Sequence, residues 1–188
     1  MSHSDYFKEV LRDYKVAAFM GSSRYTIRRM IEEMPENTRV VVEYGAGEGV
    51  ITRKILEQLS PEGKLWAIEF NPYLASLLEE IQDSRLVILR DNVFEIAPHL
   101  REHVGRPVDF IVSGIPFSPW AGADHAQRDE TVRATHDALG PGGRLVAYQF
   151  TPLLMCAIKK HFPRTWWRFE PRNFLPYFIM VGEKENTL

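Results

Sequence analysis

The sequence predicts an α/β protein with a mostly parallel sheet and helices on both faces of that sheet. From residue 40 to residue 162, apolar runs of strand length alternate with segments whose apolar residues recur at helical spacing. The first run, residues 40–42, is Val-Val-Val, which is typical of a strand buried on both faces. A glycine-rich turn and a helix follow it. Because strands that alternate with helices form right-handed crossovers, we expect parallel strands.

Two helices are predicted ahead of the sheet, within residues 1–34. Residues 4–15 are amphipathic, and Ser22 and Ser23 form an N-cap signal for a second helix that runs to Met34. Basic residues outnumber acidic ones in this segment, so its helices could either pack on the sheet or lie in a membrane interface. Packing is the commoner role of an amphipathic helix, and both interpretations stay open.

The remaining elements follow in order over residues 35–188, and the whole chain, 1–188, is predicted to be one domain. Strands are predicted at 40–43, 65–68, 86–89, 108–112 and 144–150, and helices at 51–59, 72–81, 93–103, 125–139 and 151–162. Residues 140–143 (Gly-Pro-Gly-Gly) are predicted to be a turn. Residues 166–169 and 177–181 are expected to close the sheet as an antiparallel hairpin. Trp166 and Trp167 stand among arginines there, which suits either a lipid headgroup zone or packing on a helix.

Acidic residues end the first three predicted strands. They are Glu43, Glu69 and Asp91. Ligands of such sheets bind beyond the carboxyl ends of the strands, so the three side chains are expected at one ligand-binding edge. Asp91 could instead be only a helix cap.

The turn after the first strand carries glycine at every second position, which lets a ligand approach the backbone closely. These residues are Gly45, Gly47 and Gly49. A nicotinamide or flavin site needs a further glycine at position 50, which is Val50 here. The carboxylates in and around this turn favour a cationic or hydroxyl-bearing ligand over a diphosphate.

The pattern Glu-x-Gly-x-Gly-x-Gly, with a second acid about twenty residues later, resembles the cofactor-binding core of the class I methyltransferases. This resemblance implies a Rossmann-like, seven-stranded sheet, S-adenosyl-L-methionine as the cofactor, and an N-terminal segment (1–34) that covers the cofactor site. It places Glu69 at the ribose hydroxyls and Asp91 near the adenine. The cofactor-binding residues that it implies are Phe19, Ser22, Ser23, Glu43, Tyr44, Gly45, Ala46, Gly47, Gly49, Glu69, Phe70, Asn71, Asp91, Asn92, Val93 and Ser113.

The loop after the fourth strand must border the transferred methyl group, because that strand lies beside the first one. Its residues, the predicted catalytic loop, are Ser113, Gly114, Ile115, Pro116 and Phe117. The loop is similar to the N-[LI]-P-[YF] loop of the ribosomal RNA adenine-N6 dimethyltransferases, whose asparagine accepts the proton of the target amine. Gly114 stands at that position here, which disfavours an RNA adenine as substrate. Backbone carbonyls around Ser113 and Ile115 are expected to hold the amine instead.

Soluble bacterial phospholipid N-methyltransferases resemble the chain at three further places. These are an F-x-x-S-S-R segment from Phe19, an S-G-[LI]-P loop from Ser113, and an R-N-x-P-like segment from Arg172 to Pro176 with one extra residue. The resemblance implies methylation of a phospholipid amine, such as that of phosphatidylethanolamine, by a cytoplasmic enzyme peripheral to the inner membrane face. An RNA adenine methyltransferase, a small-amine methyltransferase and a non-catalytic cofactor-binding module stay open as alternatives.

Composition limits the possible partners. The net charge of −2 gives no general attraction to nucleic acid, although an anionic membrane could be met by a local basic patch. No metal site is expected, because the six histidines show no ligand spacing with the single cysteine, Cys156. Cys156 has apolar neighbours and is expected in the core. No stretch is apolar enough to be an integral membrane segment.

Overall fold

A computed structural model describes residues 23–117, 124–172 and 176–186. Its strands are β1 (Val40–Tyr44), β2 (Lys64–Ile68), β3 (Leu86–Leu89), β4 (Val108–Ser113), β5 (Leu139–Gln149), β6 (Arg164–Glu170) and β7 (Tyr177–Glu183). They form one seven-stranded sheet in the order β3-β2-β1-β4-β5-β7-β6. β1 to β5 are parallel, β7 is antiparallel to β5, and β6 is antiparallel to β7. The predicted fold class is confirmed, and β6 runs in the same direction as β5.

The described helices lie on both faces of this sheet. They are α1 (Arg24–Ile31), α2 (Val50–Gln58), α3 (Pro72–Glu79), α4 (Val93–Ile96), α5 (Leu100–Val104), α6 (His125–Ala138) and α7 (Leu154–His161). On one face, α1 and α2 pack in a core with Val41 of β1. On the other face, α4 to α7 pack in a core with Val40 and Val42. Neighbouring valines of β1 therefore point into opposite cores, as the continuous apolar run predicts.

The order of the strands creates a crevice between β1 and β4. The chain continues from β1 to β2 on one side, whereas β4 lies on the other side of β1. The loops after these two strands therefore diverge at the carboxyl edge of the sheet, which is where ligands bind in such folds. A hydrogen bond from the Gly114 amide to the Tyr44 carbonyl (2.9 Å) joins the strand ends at this point.

Three predicted elements differ from the structure. The helix predicted at 93–103 is divided into α4, a 3-10 turn (Ala97–His99) and α5, because Pro98 has no amide hydrogen to continue the α-helical pattern. The second predicted helix ends at Ile31 rather than Met34, shortly before Pro35. The predicted turn at 140–143 instead belongs to β5, as a bulge. Leu139 pairs with Val108 and Arg144 pairs with Phe110, so extra residues of β5 face this short stretch of β4.

The prediction for Cys156 is wrong. Its side chain is exposed, although its neighbours Met155 and Ala157 are buried. The helical periodicity of α7 turns position 156 away from the sheet, and apolar neighbours in sequence do not define a helix face.

Helix α1 is attached to the antiparallel hairpin. Its inner side chains, which include Ile27 and Met30, are buried on the sheet, and Ser23 caps it as predicted through the Thr26 amide (3.3 Å). Arg29 forms an ion pair of 2.6 Å with Glu170, which is fully buried at the end of β6. This described part of the N-terminal segment therefore packs on the sheet. The predicted helix at 4–15, Phe19 and Ser22 lie outside the described residues.

Glu33, just after α1, makes a second connection to the hairpin. It accepts a hydrogen bond from the indole of Trp166 (3.1 Å) and pairs with Arg168 (2.9 Å). Trp166 therefore packs toward α1, whereas Trp167 on the opposite face of β6 is 53% exposed. Trp166 thus takes the packing role that the sequence left open for it, and the other role stays a prediction.

No helix in the described ranges is long and apolar enough to span a bilayer.

Candidate active site

The glycine-rich turn after β1 borders the crevice between β1 and β4. Gly45 and Gly47 have φ values of 73° and 57°, which side chains rarely tolerate. A β-carbon on Gly45 would lie 2.7 Å from Cγ2 of Ile115, so glycine lets the catalytic loop approach the turn. A β-carbon on Gly47 would meet no described atom within 4 Å. The backbone of Gly47 therefore borders open space that a ligand could fill.

Glu69 fixes this turn from the end of β2. Its carboxylate accepts hydrogen bonds from the amides of Gly47 (2.9 Å) and Asn71 (2.8 Å), and its side chain is almost fully buried. Two carboxylate oxygens offer about four acceptor positions, so lone pairs remain for a diol. Glu69 thus has both the position and the acceptor capacity that a ribose requires.

Glu43 lies in a different environment at the end of β1. Its side chain is buried and accepts a 2.6 Å hydrogen bond from the Thr52 hydroxyl of α2. Burial raises the pKa of Glu43 to about 8, Thr52 partly offsets this effect, and the nearby Glu69 carboxylate raises the pKa further. The carboxyl group is therefore mainly protonated at neutral pH, and a cation bound beside it would favour its ionised form.

Tyr44 contributes only its backbone to this edge. Its hydroxyl lies 3.2 Å from that of Thr135 in a fully buried position, and burial raises the pKa of Tyr44 above its usual value. Next in the chain, Ala46 is also buried and packs beside α3.

The residues after β2 and β3 divide into helix caps and exposed side chains. Asn71 caps α3 by accepting from the Tyr73 amide (2.9 Å), and Asn92 caps α4 by accepting from the Phe94 amide (3.0 Å). Asp91 is therefore not the helix cap that the sequence allowed as an alternative. Its carboxylate is exposed at the edge and accepts from the Asn92 amide (2.7 Å). Phe70 is half exposed, and Val93 is buried.

Gln149, which the sequence analysis did not single out, holds the predicted catalytic loop. Its side-chain amide donates to the Ile115 carbonyl (2.7 Å) and accepts from the Phe117 amide (3.4 Å). Phe117 is buried edge-to-face on Phe94, whereas Pro116 is exposed. The Ile115 carbonyl, predicted to hold an amine, accepts one hydrogen bond from Gln149 and keeps a second lone pair. The position of Gln149 at the carboxyl end of β5 is the signal that could have identified it.

Ser113, the last residue of β4, carries a polar atom with no partner. Its hydroxyl oxygen is fully buried and has no hydrogen bond to any described residue. Since buried polar atoms are normally hydrogen-bonded, this hydroxyl is an exception among the described residues at the end of β4.

Two solved structures with a similar fold are methyltransferases. Precorrin-6y C5,15-methyltransferase from Geobacter metallireducens superposes with a TM-score of 0.69 at 15% identity, covering 89% of this chain and 92% of its own. The N-methyltransferase NodS from Bradyrhizobium japonicum superposes with a TM-score of 0.66 at 13% identity, covering 86% and 96%. At these identities the likeness establishes the fold alone. No protein-family model matches the chain.

A curated sequence relative decides the family. The ornithine lipid N-methyltransferase of Singulisphaera acidiphila is 31% identical over an alignment of 178 positions, which covers 91% of this chain and 91% of the relative. The chain belongs to this methyltransferase family. It is therefore an S-adenosylmethionine-dependent methyltransferase, as the glycine turn and acidic strand ends predict.

The carboxyl edge of this methyltransferase fits its cofactor. Gly47, whose backbone is open, is hydrogen-bonded to Glu69 at this edge, and Ser113 ends β4 beside the last residue of β1. Within the described ranges, no three His, Cys, Asp or Glu side chains are grouped to hold a metal ion.

Proposed function

We propose that this methyltransferase transfers methyl groups to the amino nitrogen of a membrane lipid at the bilayer surface. The observation that carries the proposal is the full-length similarity to a protein named ornithine lipid N-methyltransferase. Ornithine lipid is therefore the first candidate substrate. Phosphatidylethanolamine, which the sequence resemblance implied, is the second candidate, because it also presents a primary amine on a lipid headgroup.

The distribution of exposed apolar side chains supports action at a membrane. The large hydrophobic side chains exposed in the described part of the chain are Val50, Phe70, Tyr73, Phe150, Leu153, Trp167 and Phe169. All except Trp167 belong to strand ends or to the segments that directly follow β1, β2 and β5, which is the carboxyl edge of the sheet. Trp167 lies two residues before Phe169 on β6. Aromatic residues of this kind concentrate at membrane–water interfaces. The crevice would therefore open toward the lipid.

Charge at the same edge supports an anionic surface as the partner. The buried Glu170 carboxylate pairs with both Arg29 (2.6 Å) and Arg172 (2.8 Å), and these two cations exceed its single negative charge. The Arg172 guanidinium lies 4.3 Å from the centre of the Tyr25 ring, and Arg24 lies over the same ring at 4.9 Å. Near an anionic membrane, each basic residue adds about 1 kcal/mol of attraction.

The predicted site residues receive the following roles in this proposal. Glu69 holds the ribose, Asp91 and Phe70 lie beside the adenine, and the backbone of the glycine turn borders the amino-acid end of the cofactor. Bound S-adenosylmethionine supplies a methyl group on a sulfonium, which an amine nitrogen accepts as the sulfur–carbon bond breaks and the electron pair returns to sulfur. The protein mainly aligns the amine and excludes water, so no strong general base is required.

A parallel labelling experiment tests the substrate class. The protein is incubated with methyl-labelled S-adenosylmethionine and phosphatidylcholine vesicles that contain either ornithine lipid or phosphatidylethanolamine, and separately with RNA or small amines. We expect label in ornithine lipid, and more of it when anionic lipid is added to the vesicles. Vesicles of phosphatidylcholine alone serve as the control. Labelling of RNA or of a soluble amine, with both lipids unlabelled, would overturn the proposal.

A further inference from the structure

Glycine at position 114 is required by a neighbouring side chain rather than by its own backbone. Gly114 is not among the glycines with positive φ, so its backbone would accept a side chain. A β-carbon at this position would, however, lie 2.5 Å from the hydroxyl oxygen of Tyr148 and 3.1 Å from its ring. The Tyr148 hydroxyl therefore occupies the space in which a side chain of the catalytic loop would begin.

Neighbouring aromatic rings hold this hydroxyl in place. The Tyr148 ring packs edge-to-face on Tyr177 at 5.2 Å, and Tyr177 stacks on Phe150 at 4.6 Å. Gln149, the next residue on β5, holds the catalytic loop through Ile115 and Phe117. The tyrosine ring and the loop are thus fixed to the same strand end, so the distance between the hydroxyl and Gly114 is set by the sheet.

We propose that the hydroxyl oxygen of Tyr148 accepts a hydrogen bond from the substrate amine and orients it for methylation. This inference rests on the proposed function. One lone pair of the Ile115 carbonyl is engaged by Gln149, and the side chain of Ser113 belongs to the opposite face of β4 from residue 114. Tyr148 supplies an acceptor beside Gly114, which has no side chain of its own.

The chemistry of the reaction explains why such an acceptor is useful. A neutral amine must direct its lone pair at the methyl carbon, so its N–H groups need acceptors on the other side of the nitrogen. A tyrosine oxygen has two lone pairs, so it can accept from the amine while it keeps another partner, and it takes up no proton. A quaternary ammonium has no N–H and cannot make this bond, which gives the inference a specific signature.

The variant Tyr148→Phe tests the inference, because it removes only the hydroxyl and keeps the ring. With ornithine lipid in phosphatidylcholine vesicles, we expect kcat/KM to fall about tenfold, as for the loss of one well-placed hydrogen bond. The Kd for S-adenosylmethionine should stay unchanged. Tyr177→Phe is the matched control, since it removes a hydroxyl from the same aromatic cluster and keeps the ring that packs on Tyr148. It should retain the wild-type kcat/KM.

A second measurement separates hydrogen bonding from a merely structural role. In the N-trimethylated form of the lipid, the methylated nitrogen carries no N–H. This product should therefore inhibit the wild type and Tyr148→Phe with the same inhibition constant. If Tyr148 only shaped the loop, the inhibition constant would change together with kcat/KM. That parallel change, or an unaltered kcat/KM in Tyr148→Phe, would overturn the inference.

Failure of the proposed function would look different. In that case the wild type would label neither lipid, and Tyr148→Phe would be compared with it on the amine that it does methylate. The same tenfold fall would then support Tyr148 as the acceptor, and unchanged turnover would reject it.

Discussion

The Thr52 hydroxyl donates a 2.6 Å hydrogen bond to the buried carboxyl group of Glu43, at the point where β1 enters the glycine turn. This single bond does not compensate for the loss of water around Glu43, whose pKa is raised to about 8. A residue placed at the cofactor edge by its sequence pattern is therefore mostly neutral before the ligand binds.

Cofactor binding should release a fraction of a proton from Glu43. The cofactor is cationic, and a positive charge near Glu43 lowers its pKa from about 8 toward the ordinary range. Calorimetric titration with S-adenosylmethionine at pH 7 should therefore give different heats in phosphate and Tris buffers. In Glu43→Gln the two heats should agree. Equal heats for the wild type in the two buffers would show that the cofactor charge does not lower the pKa of Glu43.

Glu69→Gln should weaken S-adenosylmethionine binding by roughly 10- to 100-fold, because it replaces a charged acceptor that also fixes the Gly47 amide. The Kd from calorimetry measures the effect. Glu62→Gln is the control, since Glu62 is an exposed acid in the turn before the same strand. An unchanged Kd in Glu69→Gln would remove Glu69 from the proposed ribose site.

Gln149→Leu should reduce turnover while leaving the cofactor Kd nearly unchanged. The substitution removes both hydrogen bonds that hold the loop at Ile115 and Phe117, so the loop loses its fixed position. We expect kcat to fall about tenfold, in line with the sensitivity of methyl transfer to alignment. A fall in cofactor affinity of the same size would show instead that Gln149 supports the cofactor pocket.

Glu170→Gln should destabilise the fold by about 3 kcal/mol at pH 7, because Arg29 and Arg172 would lose their shared carboxylate. The bonds from Arg172 lower the pKa of Glu170 from 4.5 to about 2. The contribution of Glu170 to the free energy of unfolding is therefore complete above pH 4.5 and is lost as the pH falls through 2. Urea unfolding of the wild type and the variant should thus differ less at pH 3 than at pH 7.

An exposed ion pair provides the control for that measurement. Glu79 pairs with Arg90 at the surface. The change Glu79→Gln should lower the free energy of unfolding by less than about 1 kcal/mol. An equal loss for Glu79→Gln and Glu170→Gln would contradict a special role of the buried pair in attaching α1 to the hairpin.

The double variant Trp167→Ser, Phe169→Ser should bind vesicles more weakly but stay folded, because both side chains are about half exposed and pack only partly, on Phe178. Co-sedimentation with vesicles of phosphatidylcholine and anionic lipid measures the bound fraction. His103→Ser removes an exposed ring from α5, away from the carboxyl edge, and should bind like the wild type. Equal sedimentation of all three proteins would place the membrane contact elsewhere on the molecule.

The sequence by itself determined the features that depend on neighbours along the chain. Alternation of apolar runs defined the parallel strands, and the glycines with Glu43 and Glu69 marked the carboxyl edge, because periodicity and turn chemistry act over a few residues. Element ends were less predictable where one residue interrupts a pattern, as Pro98 does in the helix predicted at 93–103.

Only the tertiary structure decided the contacts between distant segments. Tyr148 reaches Gly114, Gln149 holds the Ile115 loop, and Arg29 meets Glu170, because parallel β4 and β5 and the returning hairpin bring these strand ends together. The raised pKa of Glu43 also depends on the tertiary structure, because the folded core, rather than the local sequence, removes water from its carboxyl group. Local patterns thus predict where the cofactor binds, whereas the side chains proposed to position the amine are assembled by the packing of the sheet.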